Sequence, residues 1–422
     1  MKRSRVGCSN FVRRLGATLT LVTVAVAAMV ATSSNVGSIT SSRSSPVSVS
    51  FLASGEGWVL AKQPCQAGSC VELARTSNEG RSWTSLPLPV ALQHLASKTA
   101  SDYFPFVQLS LYFADAKDGW LYGSVQPGTS SNGTYVTPVA ELWSTHDGGD
   151  TWSLLPTRSL GMKFNVLAVS AHHGEVYAMA WRASQTFGLW RSPAGSDSWQ
   201  RVATPTLYTA AGGTAMQGAL LFKGANGWLM VGNDRATTGS ARLTSSGRWV
   251  KWTAPCTSVG SAFAVPVATS ATTLVDVCTI GGYGADVAPT TPRYLKLGSN
   301  WVFTSQNAGL TFKPTSRVVV DHSSQWLSTV PGLPASPAPG VILVAKVVSQ
   351  GQQSSDHLDL TNNAGKTWTT VVATPASSMS GTIQLVTFAS SRLGGAIIQT
   401  SPTSSKLIVS TNGGRTWHDS LK

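Results

Sequence analysis

Thr145-His146-Asp147-Gly148-Gly149-Asp150-Thr151-Trp152 is the stretch whose reading decides the fold. Counted back from its tryptophan, it places Ser or Thr at minus seven, Asp or Asn at minus five, Gly at minus three and Ser or Thr at minus one. The same spelling returns, in varying repair, ending at Trp83, Trp199, Trp252, Phe312, Trp368 and Trp417. An Asx side chain folds a turn by bonding the backbone two residues on, and Gly supplies the φ > 0 that other residues resist. The β-branched Thr opens the returning strand, and the tryptophan buries roughly 150–250 Å² against a neighbouring sheet. The pattern predicts a repeated hairpin turn that fastens structure and does no chemistry.

Asn78, Asn307, Asn363 and Asn412 stand where Asp147 does, so the charge is dispensable while the turn is kept. Gly80, Gly149, Gly309, Gly365 and Gly414 hold the glycine position. The third copy, Ser192 to Trp199, has Ala194 and Ser196 in place of Asx and Gly. The fourth, Leu243 to Trp249 ahead of Trp252, reads as shortened.

A second motif is coupled to the first. Phe51 precedes Gly57-Trp58 by six residues, Phe113 precedes Gly119-Trp120, Leu221 precedes Gly227-Trp228, and Phe388 precedes Gly394-Gly395. Each unit therefore spells strand, tight turn, strand, variable loop, strand, Asx-Gly turn, strand. Four-stranded meanders that cannot bury both faces alone imply an all-β propeller of stacked blades. Seven copies imply seven blades. Between 255 and 350 the strands cannot be parcelled into blades securely, Tyr294 to Phe303 reading as one strand or two, so six or eight blades stay open.

Composition agrees. Charged residues make up 12%, apolar residues 42%, with 40 Gly, 21 Pro and 15 Trp, the profile of a turn-rich β protein with a large core. Residues 1–31 read as an export signal: Lys2, Arg3, Arg5, Arg13 and Arg14 are basic, Ala17 to Ala31 is apolar, and small residues follow. The Arg13-Arg14 pair raises the twin-arginine route, and an uncleaved N-terminal anchor is the alternative reading. Residues 32–46 read as a flexible Ser/Thr-rich linker and 47–422 as the propeller. Removing the signal takes away five basic residues and no acids, lowering the formal charge from +13 to +8. That surface suits an acidic protein, an acidic glycan or lipid headgroups, and an exported chain is not expected to meet nucleic acid. The chain is expected to be a monomer. Cys65 with Cys70 and Cys256 with Cys278 are expected as disulfides in an oxidising compartment.

Ser/Thr-x-Asp/Asn-x-Gly-x-Thr-Trp resembles the Asp-box, or bacterial neuraminidase repeat, of sialidases, some glycoside hydrolases and sortilin-type receptors. The coupled Phe-x5-Gly-Trp strand, as in Phe113 to Trp152, is more similar to the photosystem II assembly and stability factor propellers and their bacterial relatives. The resemblance implies a fold, and folds of this kind host unrelated activities. Sialidases need a Phe/Tyr-Arg-Ile-Pro arginine, further arginines, and a tyrosine beside a glutamate; no Arg-Ile-Pro occurs, and Glu56, Glu72, Glu79, Glu141 and Glu175 lie at turns or strand starts. Other glycosidases need two carboxylates about 5–10 Å apart, and the sequence gives no way to bring a pair together. His172-His173 with Glu175 sits in a turn, where adjacent side chains of an extended segment point apart, so no metal is expected. Gly281-Gly282-Tyr283-Gly284 lacks the Lys and helix of a phosphate loop. No cofactor is implied. The reading is a non-catalytic binding or assembly scaffold, with a carbohydrate-active enzyme as the alternative.

In a four-stranded meander the Asx-Gly turns share one face with the first hairpin turns, and the remaining loops lie on the other. Insertions fall on that second face, where recognition is usually built. Tyr103, Phe104, Tyr135, Trp181, Arg182, Arg235, Tyr283 and Arg293 are the aromatic and cationic candidates there.

Overall fold

The computed structural model describes residues 44–65, 68–89, 92, 108–125, 139–182, 186–208, 217–233, 236–259, 263–280, 295, 299–318, 334–350, 353–375, 382–401 and 403–421. The expected export signal and nearly all of the expected linker lie outside them. Gly37–Lys422 makes up one compact unit. Among the described residues no helix is long and apolar enough to cross a membrane.

Among the described residues twenty-eight strands form seven antiparallel sheets of four, each taken from consecutive strands. The blades span residues 45–86, 108–154, 165–202, 217–251, 267–318, 335–373 and 383–419. The fold is a seven-bladed β-propeller. The region that could not be parcelled from sequence is the fifth blade, in which Asn300–Ser305 is the third strand and Lys313–Val318 the fourth.

The six-residue spacing has a steric cause. Phe51 pairs with Gly57, Phe113 with Gly119 and Phe388 with Gly394 across the first hairpin of their blades. A Cβ on those glycines would lie 2.3, 2.4 and 2.5 Å from the facing phenyl ring, so each ring lies flat over bare backbone. In the fourth blade the ring over Gly227 is Phe222 rather than Leu221, because that hairpin is one residue shorter. The tryptophan after the glycine is fully buried: Trp58, Trp120 and Trp228 are 0%, 0% and 1% exposed. Trp58 stacks on Phe113 of the next blade at 3.7 Å.

The Asx-Gly turns close as their spelling requires. In the second blade Thr145 Oγ1 accepts the Gly149 N–H at 2.9 Å, and Asp147 Oδ1 accepts the Thr151 N–H at 2.9 Å. Asn78, Asn307, Asn363 and Asn412 accept the equivalent N–H at 2.9 to 3.0 Å. The minus-three glycines all have φ between 79° and 99°. The residue before them is left-handed too, which the sequence does not advertise: Gly148 and Gly413 suit it, Glu79, Ala308 and Ala364 do not.

The turns of the second and fifth blades rest on the preceding blade. Trp58 Nε1 donates to Gly148 O at 2.8 Å, Trp228 Nε1 to Ala308 O at 3.1 Å, and Trp252 Nε1 to Gly309 O at 2.7 Å. The ring closes the same way. Blade one and blade seven share no sheet; Trp83 Nε1 donates to Ser420 Oγ at 3.0 Å, Ser420 Oγ donates to Gly80 O, and Ser45 Oγ donates to Thr403 O.

Two expectations about the turn tryptophans are corrected. In the fourth blade Trp249, not Trp252, occupies the box position: it meets Phe222 edge-on at 6.1 Å, as Trp152 meets Phe113. Trp252 lies three residues on and reaches into the next blade's turn instead. Depth differs also. Trp83 and Trp199 are buried, but Trp152, Phe312, Trp368 and Trp417 are half-buried.

Candidate functional site

Backbone bonds settle which turns share a face. Glu79 N donates to Gly55 O at 2.9 Å, Gly148 N to Lys117 O at 2.9 Å, Ala308 N to Thr272 O at 2.7 Å and Ala364 N to Gly340 O at 3.0 Å. With Ala194 N donating to Gly174 O and Gly413 N to Arg392 O, the box turn is bonded to the first hairpin turn in every blade but the fourth among the described residues. The second-to-third loops and the connections between blades leave the strands at the opposite ends, and the insertions are there.

Of the eight recognition candidates, Tyr103, Phe104, Tyr135, Arg235, Tyr283 and Arg293 lie outside the described residues. Trp181 and Arg182 are described, and they stand at the loop-bearing end of the second strand of blade three, Glu175–Trp181. Trp181 packs against Phe164, ring centroids 4.9 Å apart, and its carbonyl accepts the Lys163 N–H at 3.1 Å. Arg182 N donates to Thr186 O at 2.8 Å, which turns the chain back into the third strand. The Trp181 indole N–H and the Oδ1 of its cross-strand partner Asn165 are both buried without a hydrogen bond. Each such group costs about 1–3 kcal/mol.

Other titratable clusters serve the frame. His146 lies between the carboxylates of Asp118, 2.6 Å from Nδ1, and Asp197, 3.5 Å from Nε2. Ser144 Oγ donates to Asp197 at 2.8 Å. Burial pulls the His146 pKa down, but the bond to Asp118 and the charge of Asp197 outweigh it and leave it raised. Asp197 stands at a variable position of the third box, two before Trp199, and supplies a tie between blades two and three. These two carboxylates, which sequence reasoning did not pair, flank an imidazole rather than open space.

Asp276 is fully buried, and burial pushes its pKa up to about 7 against a single opposing bond from the Val277 N–H. Its Oδ2 lies 3.2 Å from Cys256 Sγ. Cys256 and Cys278 are disulfide-bonded as expected, with Cα atoms 5.2 Å apart, so the sulfur has no proton to give and the carboxyl supplies it. Ligand atoms of Cys256, Asp276 and Cys278 lie within 4.8 Å of one another, the one such group among the described residues, but both sulfurs are already bonded to each other. Cys70 is disulfide-bonded as well, while the side chain of Cys65, its expected partner, lies outside the described residues. Partly buried Lys346 and buried Asp359 form an ion pair at 2.6 Å, supported by Thr370 Oγ1 donating to Asp359 at 2.7 Å.

The histidine pair differs from its expected arrangement. His173 takes φ 52°, which breaks strand alternation and brings the two rings within 4.1 Å. His172 stacks on Phe222 of blade four at 4.5 Å, and His173 Nε2 lies 3.1 Å from Gly224 O. They join blades three and four.

No family model and no curated protein matches the chain. Solved structures do. YCF48 bound to D1 peptide is 13% identical at TM-score 0.51, over 89% of this chain and 96% of that one. An ulvan lyase, a polysaccharide lyase bound to a saccharide, is 10% identical at TM-score 0.52, over 89% and 93%. Prolyl oligopeptidase B from Galerina marginata is 8% identical at TM-score 0.53, and the chain spans about half of it, 51%. The likeness is one of fold. A peptide binder, a lyase and a peptidase share the propeller, so function has to be argued from the site.

Proposed function

We propose that the chain is an exported, non-catalytic scaffold that holds a protein or glycan partner on its loop-bearing face, and that its turns are Asp-boxes of the kind seen in the photosystem II assembly factor-like propellers. One observation carries the reading. The turn face is closed by bonds that repeat from blade to blade, whereas the variable insertions, with Arg182 at the start of one and Trp181 at the strand end beside it, sit at the opposite ends of the strands. YCF48, a similar propeller, is seen with a peptide bound, which supports a binding role for this architecture.

A photo-crosslinking amino acid placed at Arg182 or, on the turn face, at Lys223 tests it in the producing cell's envelope fraction. Adducts at Arg182 and none at Lys223 are expected. Adducts confined to Lys223 would overturn the assignment of the binding face. Recovery of the full chain only from the cytoplasm would overturn export.

A further inference from the structure

Between Thr151 and Asn233 the sequence contains two acids, Glu175 and Asp197. Both stand on the turn face and both are engaged, Glu175 by Arg191 at 3.2 Å and Asp197 by His146 and Ser144. The loop-bearing face of the same stretch keeps cations. Arg158 lies in the short helix Thr157–Leu160, Lys163 in the segment after it, and Arg182 at the end of the neighbouring strand. Arg158 and Lys163 are exposed and Arg182 half-buried, and none of the three is ion-paired among the described residues. Aromatic rings lie among them: Phe164 against Trp181, and Tyr208, which is 56% exposed.

Hydrogen bonds and a β-bridge link Lys163, Phe164, Trp181, Arg182 and Tyr208 into one strip, and Arg158 lies five residues before Lys163. Lys163 N and Phe164 N donate to Trp181 O, Arg182 N donates to Thr186 O, Thr186 is bridged to Tyr208, and Thr238 Oγ1 of blade four donates to Tyr208 O at 2.6 Å. An extended peptide is usually captured through main-chain groups left free at a strand edge. Here those N–H groups already have partners, and what faces outward is side-chain charge and ring surface. Exposed cations each contribute little alone, but several of one sign with no acid among them attract a polyanion.

We propose that the strip of Arg158, Lys163, Phe164, Trp181, Arg182 and Tyr208 binds a uronate-bearing polysaccharide, the cations meeting its carboxylates and the rings lying against its sugar faces. The proposal rests on the loop-bearing face being the binding face and names the chemistry of what it holds.

The test measures binding of the full chain to polygalacturonate, with neutral dextran and a polyglutamate of matched charge beside it. Wild-type protein should bind polygalacturonate, more weakly as salt rises, and should bind dextran and polyglutamate far less. Replacing exposed Arg158 and Lys163 with Ala, alone or with Arg182→Ala, should raise the dissociation constant about tenfold or more, equivalent to ~1.4 kcal/mol. Tyr208→Ala should raise it a few fold, by loss of stacking. A control that removes the same number of charges from the turn face, Lys117→Ala with Lys223→Ala and Lys366→Ala, should change it less than about twofold. Equal losses in the strip and control variants would overturn the proposal, as would no binding of polygalacturonate or equally tight binding of polyglutamate. Crosslinking at position 182 reads separately: a partner captured there without polygalacturonate binding sinks the glycan and leaves the scaffold standing, while capture only at position 223 sinks both.

Discussion

Asp276 offers the sharpest physical test of the interior. Its carboxyl titrates near 3.8 in an unfolded chain and at about 7 in the folded one. Between those values the folded state holds a proton that the unfolded state has lost, so unfolding releases it and rising pH favours unfolding. The contribution is therefore fully present below pH 3.8, falls as pH climbs toward 7 and is flat above. At ~1.4 kcal/mol per pH unit the interval amounts to about 4 kcal/mol. Asp276→Asn keeps an oxygen for the Val277 N–H and an N–H to direct at Cys256 Sγ, but it cannot titrate. Denaturant unfolding of both proteins from pH 4 to pH 8 isolates the effect, because every other titrating group cancels in the difference. The variant should gain about 4 kcal/mol on wild type across that range, losing at pH 4 and winning or drawing level at pH 8. Curves that run parallel would refute the reasoning and show that the carboxyl is ionised, or solvated, throughout.

The raised pKa of His146 has the same sign of consequence, at a higher pH. Its tie to Asp118 and Asp197 is fully present below the ordinary histidine range and is lost as pH rises through the folded value. His146→Ala should cost about 0.5–1 kcal/mol at pH 5.5, screening included, and the gap to wild type should close by pH 8.5 in melts of both proteins. Trp152→Ala should cost about 2 kcal/mol and Trp58→Ala about 3–5 kcal/mol, since the first ring is half-buried and the second fully buried; equal denaturation midpoints would contradict the depth difference. Ala364→Gly should stabilise by about 0.5 kcal/mol by relieving φ 55°. Gly365→Ala should destabilise strongly, as its Cβ would lie 2.1 Å from Ser316 Oγ, and a calorimetric melt reads both.

The fold was legible because a propeller writes each blade separately. Phe113, Gly119, Trp120, Asp147, Gly149 and Thr151 are linked through one blade's hairpins, so their spacing is local and repeats. Legibility failed where a blade departs from that spacing, at the short hairpin of Phe222 and Gly227 and in the fifth blade. The candidate site was legible only as a face. Trp181 and Arg182 could be placed on it from meander order, but Lys163 and Phe164 join them through bonds to Trp181 O, and Tyr208 through its bridge to Thr186, pairings that no local pattern records.

By itself, then, the sequence determined the blade: a turn needs Asx, Gly and Thr at fixed offsets because the backbone conformation demands them within eight residues, and a ring over a glycine needs the glycine bare. Only the tertiary structure decided what meets across blades. Asp197, at a variable position of its box, reaches His146 and Ser144 of the preceding blade; Asp276 lies under a disulfide twenty residues from it in one direction; and the box turn of Thr145 to Trp152 is held by Trp58, ninety residues before Gly148. Those partners are set by how twisted sheets pack around a ring, and packing between sheets leaves no periodic trace in the chain.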